Sequence, residues 1–201
     1  MKLLTAYDSF EYSKEMIEES KQMNNGKVIL KGILQKADVV NQNGRIYPKE
    51  LLEREIRNYQ KFIIENRSLG ECDHPESTVV SLKNASHLIK EAYFKDNIVY
   101  GVVELLSTPS GKILQSLVES GVKLGISSRG VGSTKTQGDY QIVQDDFQLI
   151  CWDFVSEPST PGAFMLSEGK EISKDILKEI FNKSDRVDRI LNEILINKGK
   201  K

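Results

Sequence analysis

The stretch ASHLIKEAYFKDNIVYGVVELL, residues 85–106, constrains the fold more than any other. Apolar and β-branched residues recur on both sides of Lys-Asp-Asn, and that tripeptide is turn chemistry. Two strands joined so tightly can only pair antiparallel, because a parallel pair needs a crossover of a dozen or more residues. Other strand signals follow the same rule. KVILKGILQKADVV (27–40) predicts a strand, and Asn43-Gly44 a turn. LGECDHPEST predicts a loop or short strand, KLGISSRGVGSTKT a strand then a turn, and DYQIVQDDFQLICWDFVS one or two more strands. Regular crossover helices do not separate these segments, so a doubly wound parallel sheet is disfavoured.

Two helices interrupt the strands. KELLEREIRNYQKFIIEN, opened by Pro48, puts Leu51, Leu52, Ile56, Tyr59, Phe62 and Ile63 on one face. TPSGKILQSLVESG has Pro109 near its start and Gly121 at its stop. The expected class is α+β: a mainly antiparallel, barrel-like core flanked by helices. It is expected to span 26–167, between a polar or helical leader (1–25) and an amphipathic helical tail (168–201).

Composition narrows the function. A net charge of −1 gives no support to direct nucleic-acid binding. No apolar run reaches the 18 residues of a membrane span, and the signal-like start is interrupted early by Asp8 and Glu11. Two cysteines, Cys72 and Cys151, make no disulfide framework and fit a reducing compartment.

The chain has two histidines, so a histidine base is His74 or His87. His74 sits in GECDHP, a loop that can hold a side chain at a cleft edge, whereas His87 falls on a strand. Ser127 and Ser128, in GISSRGVG, are candidate nucleophiles. Backbone N–H groups near Arg129 and Gly130 could receive an oxyanion, with Arg129 adding a fixed charge. Asp153, ending the apolar run FQLICWD, would need a partner if buried, and Glu71, Asp73, Asp145 and Asp146 compete as the orienting acid. A metal reading stands beside this one. Cys72/His74 and Cys151/Asp153 share an i, i+2 spacing, and on strands two such pairs could converge on zinc.

ADVVNQNGRIYP, LGECDHP, the run from Asn97 to Ser133 that contains GISSRGVGS, and DFVSEPSTPGA (153–163) together resemble the prohead core protease family of tailed bacteriophages. They occur in the family's order and span most of 30–165. The resemblance implies a serine endopeptidase with a fold related to herpesvirus assemblin and no cofactor. Its histidine would be His74 and its nucleophile Ser127. In the herpesvirus relatives the third member is a second histidine after the serine. No histidine follows Ser127, so Asp153, on the predicted following strand, takes that role, with Glu71 and His87 as alternatives. The implied substrates are capsid and scaffold precursors, cut after glutamate inside the assembling prohead in the host cytoplasm. The tail carries LSE, LKE and LNE, candidate self-cleavage sites. Self-association is a further expectation, since the herpesvirus relatives act as dimers. The competing readings are a non-enzymatic prohead core or scaffold component of the same fold, and the zinc site at Cys72, His74, Cys151 and Asp153.

Overall fold

The computed structural model describes residues 21, 22 and 24–167. Most of the expected leader and the whole expected tail, with the glutamates of its three candidate cleavage sites, lie outside them. Among the described residues no helix is long and apolar enough to cross a membrane.

From Val28 onward the described residues form, in order, β1 (Val28–Lys36), β2 (Arg45–Ile46), α1 (Lys49–Ile64), β3 (Leu69–Glu71), β4 (Ala85–Lys95), β5 (Ile98–Leu105), α2 (Pro109–Glu119), β6 (Gly125–Val131), β7 (Thr134–Gln137), β8 (Tyr140–Val143), β9 (Gln148–Val155) and β10 (Met165–Ser167). The 85–106 stretch forms the expected hairpin. Asp96 and Asn97 turn it with φ of 48° and 62°, the left-handed pair of a type I′ connection. The predicted first strand stops short: Asp38, at φ 57°, leaves the extended region and ends β1.

β10-β1-β5-β4-β3 forms a five-stranded antiparallel sheet. β2-β8-β7 forms a small second sheet in which β2 runs parallel to β8, and β6-β9 is an antiparallel ribbon. The fold is therefore mixed α+β and mostly antiparallel, but the expected barrel does not close. β3 has only three residues before Asp73, at φ 60°, turns the chain away, so its link to β9 is the single bridge Cys72–Phe154. β6 likewise meets the segment before β10 through one bridge, Gly125–Phe164.

The core lies between the large sheet, the ribbon and α1. Leu30, Leu34, Ile89, Val99 and Val103 meet Leu51, Leu52, Ile56 and Tyr59 from the helix and Ile126, Trp152 and Phe154 from the ribbon. Four of the six apolar residues expected on the helix face are buried, and Phe62 and Ile63 pack at its margin. Glu55 is buried with them. Its carboxylate accepts from Leu149 N–H (2.8 Å) and Arg54 Nε (2.9 Å), which fastens α1 to the start of β9.

Candidate active site

The β6–β9 ribbon pairs Ser127 with Asp153 and Arg129 with Cys151. Directly opposed residues of an antiparallel pair point to one face, and so do residues two apart along a strand. Ser127, Arg129, Cys151 and Asp153 therefore share a face, and all four are buried.

His74 reaches that face from the loop after β3. Asp73 N–H donates to Phe154 O (2.8 Å), and its left-handed turn throws the next residue over the ribbon. The Pro75 that follows restrains His74. His74 Nδ1 lies 2.8 Å from Asp153 Oδ2. A carboxylate only accepts, so Nδ1 carries a proton and Nε2 lies on the far side of the ring. The imidazole is 42% exposed while the carboxylate has no exposure, so the pair joins the interior to the surface.

A dense set of donors stabilises the buried carboxylate. Arg129 donates from Nε to Asp153 Oδ2 (2.8 Å) and from Nη2 to Oδ1 (3.1 Å), a two-pronged fork. Glu71 N–H donates to Oδ1 at 3.0 Å. Burial alone would raise the Asp153 carboxyl, but the hydrogen bonds from His74, Arg129 and the Glu71 amide outweigh it and hold it below the usual carboxylate value. The same guanidinium also donates to Glu71 Oε1 (2.9 Å) and to Ser77 O (2.7 Å). Burial would weaken the Arg129 charge, yet the Asp153 and Glu71 bonds drive its pKa upward instead. Glu71 Oε1 further accepts Ser81 N–H at 3.0 Å, so the loop between Pro75 and Asn84 is tied to the cluster at two points.

Ser127 Oγ is bonded to Ser159 Oγ, 3.1 Å away, rather than to His74. Ser159 lies in EPSTPG, and Gln42 N–H donates to its carbonyl (2.9 Å). Sequence reasoning missed this neighbour; its only signal was its place in the DFVSEPSTPGA match. Ser128 falls on the opposite face of β6. Gly130 is exposed where the ribbon's register shifts. Asp146 is spent on a surface turn, accepting from Ser133 N–H and Oγ at 2.9 and 3.0 Å.

His87 is drawn into the interior. Its Nε2–H donates to Trp152 O (2.9 Å), and its Nδ1 accepts from the Ser86 hydroxyl (2.9 Å). Burial lowers its pKa to about 4, so it is neutral near pH 7. Its hydrogen bonds reach neither Ser127 nor the Asp153 carboxylate.

The zinc reading is corrected by the same geometry. Cys151 and Asp153 share a face as expected, with Sγ 3.4 Å from Oδ1. The turn at Asp73 breaks strand alternation between Cys72 and His74, and Cys72 Sγ–H donates to Ser110 O (3.5 Å) on α2 instead. Burial raises both thiols, and Asp153 has its oxygens occupied. Among the described residues no group of three or more His, Cys, Asp or Glu is placed to hold a metal ion.

A family profile described as "Prohead core protein serine protease" matches residues 9–175. The prohead core protein protease of Enterobacteria phage T4 is 34% identical over 172 residues, covering 83% of this chain and 80% of that protein. The solved structure of the bacteriophage T4 capsid assembly protease, gp21, superposes with a TM-score of 0.63 at 26% identity, over 77% of this chain and 91% of that one. This chain belongs to the prohead core protein serine protease family.

Proposed function

We propose that the chain is a serine endopeptidase that processes capsid and scaffold precursor proteins inside the assembling prohead, with Ser127 as nucleophile, His74 as general base and Asp153 as orienting acid. The observation that carries this reading is the 2.8 Å His74–Asp153 contact on the face where Ser127 stands opposite Asp153. Asp153 holds the imidazole with Nε2 free. Ser127 turns from Ser159 toward that nitrogen, gives up its proton and attacks the scissile carbonyl. His74 then protonates the leaving amine, and water clears the acyl-enzyme.

The oxyanion goes to backbone N–H groups beside Arg129 and Gly130. We assign it to the backbone because the Arg129 guanidinium is already engaged with Asp153, Glu71 and Ser77. Cleavage after glutamate, self-processing in the tail, self-association and a fold related to herpesvirus assemblin belong to the same proposal. Among the described residues, the large sheet and the ribbon are joined by single bridges at Cys72–Phe154 and Gly125–Phe164, which supports the last of these.

Covalent labelling by a fluorophosphonate tests the assignment. Label should enter the wild type and Ser128→Ala and be absent from Ser127→Ala, which should also leave a capsid precursor uncut. Undiminished digestion by Ser127→Ala would overturn the reading.

A further inference from the structure

The charges behind His74 do not cancel. Asp153 and Glu71 are two carboxylates, and Arg129 is the one guanidinium between them. With a neutral imidazole the cluster carries one negative charge in excess, and it comes to neutrality when His74 gains a proton. If Arg129 faced Asp153 alone, carboxylate and guanidinium would cancel. The forming imidazolium would then meet a dipole rather than a charge.

We propose that Glu71 is a positioning residue that neutralises Arg129, so that Asp153 presents a full negative charge to His74 as the imidazole takes the Ser127 proton. This rests on the Ser127–His74–Asp153 reading above. Arg129 supplies geometry, because its fork fixes both Asp153 oxygens and leaves Oδ2 turned to Nδ1. Glu71 removes the electrostatic cost of that fork. Buried charges interact strongly where water is excluded, and Glu71, Arg129 and Asp153 are all buried.

The other titratable groups near Asp153 supply no compensating charge. Tyr59 from α1, Cys72 beyond β3 and Cys151 from β9 are shifted upward by burial and stay neutral. His87 from β4 is held neutral by burial. Asp73, beside His74 in the chain, adds an exposed carboxylate rather than a cation, and its amide is anchored to Phe154 O. The Glu71 bond to Ser81 N–H also ties the 75–84 loop to this charge, so the cluster sets both the base and the segment beside it.

The test is the pH profile of precursor-peptide cleavage by the full chain. Glu71→Gln keeps an oxygen for Arg129 and Ser81 but loses the charge. It should move the acid limb of kcat/KM about one pH unit lower and cut kcat roughly tenfold, with KM little changed. Arg129→Gln should move the limb the opposite way, and the double variant should return it toward the wild type. A packing role would not produce shifts of opposite sign.

If Arg129→Gln does not fold, the near-isosteric Glu71→Gln decides the matter alone. NMR titration of the two imidazoles in the Ser127→Ala background, with and without Glu71→Gln, reads the same shift without turnover. An unmoved or upward-moving His74 titration in Glu71→Gln overturns the proposal. Cleavage persisting in Ser127→Ala would instead sink the catalytic reading it rests on.

Discussion

The two histidines are held by neighbouring residues of β9 and have opposite fates. His74 is bound by the Asp153 side chain, and His87 by the Trp152 carbonyl one position earlier. Successive residues of a strand present different groups, so one strand serves both. A carboxylate at a half-open site holds the His74 ring through Nδ1. A carbonyl and a hydroxyl in a closed site leave the ring neutral, and burial lowers its pKa to about 4. The chemistry of an imidazole here is decided by what faces it, since the residue type is the same in both places.

Exchanging the losses would break this comparison most decisively. His74→Ala should lower kcat/KM by about 10⁴-fold or more while leaving thermal unfolding close to the wild type. His87→Phe should act the other way, since it strips the Trp152 carbonyl of its donor. Stability should fall by about 2–3 kcal/mol in denaturant titration, with near-normal turnover per folded molecule. If His87→Phe abolished turnover in a folded protein, the buried ring would have a chemical role that the comparison denies it.

Acid sharpens the contrast at a similar energy. His87 has an ordinary value of 6.5 and a folded value of about 4, so the unfolded chain takes the proton first as pH falls. Its stability contribution is complete above about pH 6.5 and is lost progressively toward pH 4, amounting to about 3 kcal/mol. The Asp153 carboxyl is also held low, so its contribution is present above the usual carboxylate range and disappears only in stronger acid. Urea midpoints across this range should therefore fall first through the His87 window, and His87→Phe should flatten that step.

The smallest expected effect tests the wall between the two sites. Gly70 lies where β3 passes β9, and a Cβ there would collide with Trp152 O and with His87 Nε2. Gly70→Ala should cost about 1–3 kcal/mol in thermal unfolding by pushing β9 and the His87 ring apart. A wild-type melting curve for this variant would mean that the close approach does not matter.

Local signals were readable wherever the physics is local. The Lys-Asp-Asn turn, the apolar face of α1 and the Pro109 start of α2 follow from backbone preferences and helical spacing. Thr108 capping Gly111 N–H at 3.1 Å completes the last of these. His74, Ser127 and Asp153 were available as candidates from the quoted motifs and their order in the chain, with Glu71 and His87 as alternatives to Asp153. The Ser127–Ser159 contact, the buried Glu55 and the parallel pairing of β2 with β8 could not, because each joins segments far apart in the chain. The barrel expectation failed for a related reason. The main strands were legible, but the short ones at Arg45–Ile46, Thr134–Gln137 and Met165–Ser167 were not, and closure depends on how far each edge stays extended, where Asp73 ends β3 too early.

By itself the sequence determined the antiparallel hairpin, the helix faces and the residue types available for proton transfer, since these depend on near neighbours and side-chain chemistry. Only the tertiary structure decided which carboxylate faces which histidine and where Arg129 spends its donors. It also set the count of buried charge behind His74. Those outcomes depend on strand register and desolvation, properties of the folded interior that no single segment carries.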